Sequence, residues 1–254
     1  MNIRGDDTLH VLSWGMRVES TAILLLWLLE PESRPAPIEN LVVMSAHTGN
    51  EFPSTKGLVD DYIFPLLRHF GVRYVQVARH GPRQSDGYVV LDDNRSPTRL
   101  YNEGDYSLGT HLLESGTVPA YTAAHHCAMK FKGFPLDSFV SDYLSPNPIV
   151  QYLGYNSDEG RRADKSIEYS SRTKEGGLRF PLIEMGWDRA RCETYIAEKF
   201  GVTFERSACV FCPFAERRAI TKRYLREPKA AASALFLEYV AMCLNLRMAL
   251  FPHG

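Results

Sequence analysis

The chain has 254 residues, 44% hydrophobic and 23% charged, which is enough apolar material for one sizeable core and too much for a disordered segment. A formal net charge of −1 excludes an overall electrostatic pull toward nucleic acid but leaves room for local basic faces. An odd count of five cysteines, no targeting pattern and no apolar run of about 18 residues lead us to expect a reducing cytoplasm, with neither a disulfide scaffold nor a membrane anchor.

In chain order, a strand at His10 to Ser13 runs into the Ser/Gly turn Trp14-Gly-Met-Arg-Val-Glu-Ser-Thr21 and then into an apolar helix to Glu30. Ser13, Gly15, Ser20 and Thr21 offer hydroxyls and backbone N–H groups, and the helix start adds the positive end of its dipole. Such a turn suits a phosphate. Trp14, Arg17 and Glu19 complete this candidate nucleotide loop. A buried strand follows at Leu41 to Ser45, then His47-Thr-Gly-Asn-Glu-Phe-Pro-Ser-Thr55 and an amphipathic helix to Phe70, with Ser54 as a good N-cap. A strand at Arg73 to Ala78 completes a βαβαβ opening. That pattern predicts a doubly wound α/β fold, a parallel sheet with helices on both faces and a ligand crevice at the strands' carboxyl ends. Residues 80–122, rich in Gly, Pro, Asp and Asn, are expected to form an insertion or mobile cover over that crevice.

Further on, His125-His-Cys-Ala-Met-Lys-Phe-Lys132 sets Cys127 beside two imidazoles, and a strand at Ile149 to Leu153 leads into Gly154-Tyr-Asn-Ser-Asp-Glu-Gly-Arg-Arg162. Asp188 to Phe200 reads as a helix carrying Cys192, and Ser207 to Phe214 holds a knuckle formed by Cys209 and Cys212. The tail from Arg217 to Leu250 is helical. Its apolar stripe, which carries Cys243, either packs on the core or forms a homodimer face. Cys192 and Cys243 are expected to be buried small hydrophobes. Arg161, Arg162 and Lys165, and later Arg217, Arg218, Lys222, Arg223 and Arg226, form basic clusters, for which an exposed charged helix is the plain explanation. The organisation is therefore one α/β domain over 1–214, with a helical extension at 215–254 packed on it.

Four ordered segments resemble the ATP pyrophosphatase superfamily. Ser13, Gly15, Val18, Ser20 and Thr21 match the longer variant of its pyrophosphate loop, Ser-x-Gly-x-Gly-Val-x-Ser-Thr, while Arg17 replaces a glycine and Glu19 stands where Asp, Asn or Gln is commoner. Thr48, Gly49, Glu51, Phe52, Pro53 and Thr55 are similar to the Asp-Thr-Gly-x-Glu-Phe-Pro-x-Thr segment of its sulfonucleotide reductase branch, with His47 in place of the aspartate. Gly154, Glu159 and Arg162 match a Gly-x-x-x-x-Glu-x-x-Arg element, and Cys127 and Lys132 match a Cys-x-x-x-x-Lys element in which iron–sulfur members carry a further cysteine where His126 stands.

The resemblance implies the adenine nucleotide alpha-hydrolase-like fold, with ATP and Mg²⁺ bound at Ser13, Trp14, Gly15, Arg17, Glu19, Ser20, Thr21, Ser45, Thr48, Gly49 and Gly154, and with Glu51, Lys132, Glu159 and Arg162 as catalytic residues. It implies an enzyme that adenylylates an acceptor oxygen and releases pyrophosphate, closest to the stand-alone pyrophosphatases of DNA phosphorothioation. The partners would be DNA, reached through a multi-protein complex, and a cysteine desulfurase. Cys127, Cys209 and Cys212 leave three readings: a [4Fe–4S] cluster with one open iron, a Zn²⁺ site completed by His125 or His126, or no metal. Two other functions remain. A sulfonucleotide reductase would need a C-terminal nucleophilic cysteine, absent from Leu250-Phe-Pro-His-Gly254, and Arg17 and His47 motivate a non-catalytic nucleotide-binding subunit.

Overall fold

A computed structural model describes residues 7–121, 125–144, 147–171, 177–205 and 207–250, so residue 122 of the expected cover and the terminal residues 251–254 lie outside the described residues. The order is β1 (Leu9–Ser13), α1 (Val18–Leu29), β2 (Leu41–Ala46), α2 (Pro53–Leu58), α3 (Phe64–Phe70), β3 (Arg73–Arg79), β4 (Tyr88–Asn94), α4 (Leu108–Ser115), α5 (His126–Ala128) and α6 (Phe134–Phe139). Then come β5 (Ile149–Leu153), α7 (Gly160–Ser171), β6 (Gly177–Arg179), α8 (Pro181–Glu184), α9 (Arg189–Phe200), α10 (Arg217–Arg226) and α11 (Pro228–Leu244). Single π-helical turns join α2 to α3 (Val59–Ile63) and α5 to α6 (Met129–Gly133).

The sheet order is β4-β3-β2-β1-β5-β6, parallel throughout except for antiparallel β4. From β1 the chain steps to β2 and β3 on one side and later to β5 and β6 on the other. The crevice between β1 and β5 is the switch point at which such sheets bind ligands. Strand residues alternate between two buried layers, as the period of 2 requires. Leu12, Val43 and Tyr74 pack with α1, α3 and α9, whereas Val11, Val42, Met44, Val75 and Val77 pack with Phe139, Val140 and Leu144. Helices therefore cover both faces. Every residue of α1 from Val18 to Leu28 is buried, which explains why it reads as apolar all round rather than amphipathic.

Within residues 80–121 the chain contributes a strand to the sheet and a loop fastened to the helices beside it. Tyr88 to Asn94 forms the antiparallel edge strand, with a bulge opposite Gln76/Val77. The loop after it is pinned by its backbone: Leu100 N–H donates to Asp60 (2.6 Å), the Leu100 carbonyl accepts from Lys56 (2.6 Å), and Arg68 donates to the Pro97 carbonyl (2.7 Å).

The C-terminal helices share a core with the sheet's carboxyl end, where Ala230, Ala234 and Leu237 of α11 meet Phe52, Leu108 and Leu112. The N-cap of α2 is Phe52, with Pro53 at N1, so Ser54 does not cap it. Instead Ser54 donates its N–H (3.0 Å) and hydroxyl (2.7 Å) to Glu227. Beside it Arg223 lies 4.0 Å from the Phe52 ring centroid and donates to Thr55 (2.7 Å). Cys192 is buried as expected, but Cys243 is exposed. The stripe of α11 that faces the core is Ala230, Ala234, Leu237 and Ala241, and position 243 falls on the opposite side. Among the described residues no helix is long and apolar enough to cross a membrane.

Candidate functional site at the carboxyl ends of β1, β2 and β5

The turn after β1 is held from inside. Trp14 donates its backbone N–H to Met44 (2.7 Å) and its indole N–H to the Thr21 hydroxyl (3.0 Å), and both side chains are sealed from solvent. Met16 takes a left-handed φ of +57°, an uncommon state for a side-chain-bearing residue and one that sharpens the turn. The Ser13 hydroxyl accepts from Gln151 (3.0 Å), and that of Ser20 donates to the Arg17 carbonyl (3.3 Å). Thus Trp14 and Thr21 brace the loop from within, Ser20 is buried in the first turn of α1, and the Arg17 side chain is partly exposed. Gly15 has open space where a Cβ would stand; its nearest neighbour there is Arg17 Cγ at 4.0 Å. Gly154 is the reverse case. A Cβ on it would lie 2.6 Å from the Ser20 nitrogen, so only glycine lets the end of β5 press on the first turn of α1.

Glu19 is buried in that first turn, 3.8 Å from Arg17 and 3.8 Å from Arg189 of α9. An acid at a helix start is favoured by the dipole, and the two guanidiniums add positive charge around it. Sequence reasoning missed Arg189. It reads as an ordinary first-turn residue after the N-cap Asp188, and nothing local marks it.

The loop after β2 turns at Gly49, whose φ is +78° and whose Cβ would strike Ser107 at 2.7 Å. This places Glu51 in the interior, both of its oxygens accepting from the Thr48 N–H (2.9 and 3.1 Å) and one lying 3.1 Å from Lys132. Burial would raise the Glu51 carboxyl, but Lys132, His47 and the Thr48 N–H outweigh burial and hold it below its ordinary value. His47 is buried 4.0 Å from Glu51, and among the described residues neither ring nitrogen has a hydrogen bond; burial lowers its pKa and Lys132 opposes protonation further, while Glu51 and Glu103 act the other way. Ser45 is hydrogen-bonded to Tyr74 (2.6 Å) inside the core, so it supports β2 from beneath the crevice.

Glu159 and Arg162 stand together after β5. Glu159 accepts from the Asn156 N–H (3.2 Å), closing a capping box, and pairs with Arg162 at 2.7 Å. The guanidinium of Arg162 lies 4.3 Å from the Tyr155 ring centroid, and Tyr155 and Glu159 raise its pKa against the opposing effect of burial. Glu159 therefore shapes the loop and aims Arg162.

The knuckle segment ties these loops together. Ser207 donates to the Gly15 carbonyl (2.8 Å), Cys209 forms an antiparallel bridge with Glu51, and the Val210 N–H donates to Asn50 (2.8 Å). Cys127, Cys209 and Cys212 pack in one apolar cluster with Phe52, Phe131 and Phe211. Cys209 and Cys212 share a thiol hydrogen bond that, with burial and the neighbouring charges of Cys212, Glu51 and Cys127, pushes the Cys209 pKa well up; burial and then Cys212 raise that of Cys127. Three sulfurs suit a thiophilic centre by donor type. Among the described residues, no group of three or more His, Cys, Asp or Glu has the arrangement of a metal site. Next to Cys127 a cavity of about 130 Å³ is lined by Leu112, Val118, Phe131, His111, His126 and Lys130, with Lys130 3.0 Å from the His111 ring.

Of the residues singled out in the sequence, one end of the sheet holds Gly15, Arg17, Glu19, Ser20, Thr48, Gly49, Glu51, Lys132, Gly154, Glu159, Arg162 and the three thiols, with Ser13, Trp14, Thr21 and Ser45 supporting them from within. Comparison of the chain with protein-family models, with curated proteins and with solved structures finds no match.

Proposed function

We propose that this chain is an ATP pyrophosphatase of adenine nucleotide alpha-hydrolase-like fold, adenylylating an acceptor oxygen and releasing pyrophosphate so that sulfur can be transferred. One observation carries the reading: the loops after β1, β2 and β5 stand at the same end of the sheet, Gly154 pressed on Ser20, and the segment bearing Cys209 and Cys212 bridges two of them through Ser207 to Gly15 and Cys209 to Glu51. Phosphates would lie on the α1 first turn, with Gly15 giving them room and Arg17 and Arg162 offsetting charge on the leaving pyrophosphate. Magnesium would arrive on the nucleotide, since Glu51 is engaged by Thr48 and Lys132 and Glu19 lies buried between Arg17 and Arg189. Cys127, Cys209 and Cys212 would hold an iron–sulfur or zinc centre, which when bound supplies soft-metal sulfur chemistry.

A DNA acceptor, with sulfur from a cysteine desulfurase in a cytoplasmic multi-protein complex, agrees with the resemblance and with a thiol cluster beside a nucleotide crevice. The test is incubation of anaerobically purified protein with ATP and Mg²⁺, with chromatography of AMP and pyrophosphate. We expect AMP and pyrophosphate from the native chain and at least a tenfold loss for Arg162→Ala with little change in ATP affinity, because leaving-group charge grows in the transition state. ADP and orthophosphate as products would overturn the assignment. Tight ATP binding without turnover would make the chain a nucleotide-binding subunit.

A further inference from the structure

The function proposed above makes no use of three rings at the rim of the thiol cluster. Phe214 stacks on Tyr121 on one side (centroids 4.9 Å apart, planes at 29°) and contacts the His125 ring on the other (4.1 Å, 35°). Tyr121 is 70% exposed, so a ring that already has one stacked neighbour leaves most of its surface to water. His125 is held in the left-handed region at φ +46°, a strained state for a residue with a side chain. The stack is tied to the thiols through the chain: His125 stands two residues before Cys127, and Phe214 two residues after Cys212.

Cations follow the rings closely in the chain. Arg217, Arg218 and Lys222 are all exposed on α10, which begins three residues after Phe214. The only acid among them is the exposed Glu216, and the first turn of α10 contains none. Two arginines at a helix start are disfavoured by its dipole, so helix stability does not account for them. Exposed stacked aromatics beside a basic helix are the two parts of a single-stranded nucleic acid site: rings accept unpaired bases, and guanidiniums accept the backbone.

We infer that Tyr121, Phe214 and His125 form a stacking platform for an unpaired nucleobase, with Arg217, Arg218 and Lys222 on the adjoining phosphates, so that the acceptor strand is presented single-stranded next to the thiol cluster. The inference deepens the nucleic-acid reading of the acceptor and rests on it. Charge complementarity selects this occupant. Among the described residues Arg217, Arg218 and Lys222 have no ion pair, a phosphate backbone beside unpaired bases meets both the cations and the rings, and a duplex hides its base faces from the rings.

The test uses the full chain and fluorescently labelled oligonucleotides of about 12 nucleotides, single-stranded and duplex, read by anisotropy at several salt concentrations. Single strands should bind at least about tenfold more tightly than duplex, and Tyr121→Ala should abolish that preference while Tyr121→Phe keeps it. Arg217→Ala with Arg218→Ala should weaken binding to all sequences and flatten the salt dependence. Because Tyr121 is a surface residue, thermal melting should be unchanged in Tyr121→Ala, and Phe214→Leu serves as a second variant that keeps the apolar volume. Equal affinity for duplex and single strand, no binding at all, or a Tyr121→Ala variant that binds as the native chain does would overturn the inference. Pyrophosphate release measured without oligonucleotide separates the two ideas: release without strand binding sinks the platform alone, and absence of release counts against the ATP pyrophosphatase.

Discussion

The ammonium of Lys132 lies 3.1 Å from a carboxylate oxygen of Glu51, a residue sealed from solvent and otherwise held by the backbone N–H of Thr48. Lys132→Met would leave that buried charge with one backbone donor and a weakly basic His47. We expect a loss of about 3 kcal/mol, read by denaturant unfolding, with a smaller loss for Lys132→Met combined with Glu51→Gln because no buried charge then remains.

The same pair sets a pH dependence. The folded pKa of Glu51 lies below its ordinary value of 4.5, so its contribution to stability is complete above that value and is lost as pH falls through the folded value. The stability difference between the native chain and Glu51→Gln should be constant near neutrality and shrink below about pH 4. A difference that grows on acidification would contradict the depressed pKa.

Gly15 and Gly154 predict opposite phenotypes for one substitution. Gly154→Ala forces a Cβ to 2.6 Å from the Ser20 nitrogen and should cost about 1–3 kcal/mol of stability. Gly15→Ala meets open space, so its melting temperature should hold while ATP affinity, measured by calorimetry, falls because the Cβ fills the room a phosphate needs. Equal melting shifts for the two variants would refute the contrast.

Thiol labelling should follow burial. Cys243 is exposed and should react first with a thiol reagent, and Cys243→Ser should remove that phase. Cys192 is buried, its pKa pushed up to about 12 by burial and then by Glu19, Asp188 and Glu193, and should react only on unfolding. Cys127 and Cys212 are half-buried and should react between these limits, more slowly once a metal is bound.

Arg223 joins α10 to the sheet domain through Ser54, Thr55, Glu205 and Glu227. Arg223→Met should strip the C-terminal helices from the core around Phe52, seen as faster proteolysis after position 215 and a loss of about 3 kcal/mol, since Glu227 would be left partly buried without its cation.

What was legible in the sequence is what short range encodes. The strands expected at His10 to Ser13 and Leu41 to Ser45 fall within one residue of the observed bounds because local periodicity encodes them, whereas the start of α2 differs from the expected one, since Ser54 resembles an N-cap and Phe52 holds that position. β4 was hidden because Asp92, Asp93 and Asn94 at its exposed edge resemble a loop, although Val89 and Val90 pair with β3. The π-helical turn that contains Lys132 has no compositional mark. The expectation of a buried Cys243 failed because α11 is apolar on both sides, so hydropathy alone could not tell which side meets the core. At the site, the residue types were readable, but their commitments were not: that Trp14 and Thr21 satisfy each other, that Glu159 closes a capping box and that Arg189 reaches Glu19 are facts of three-dimensional packing.

The hydrogen bond from Ser207 to Gly15 spans 192 positions of the chain. During synthesis the loop after β1 leaves the ribosome first and can form against β2 long before the knuckle segment exists. Contacts of this separation form slowly, since most of the chain must be ordered before they are made. The turn is therefore completed by a segment made 192 positions after it, and a nascent or partly folded chain has a turn shaped for phosphate but lacks the strand-like segment that joins it to Glu51. Assembly order itself keeps an unfinished chain from presenting the whole site.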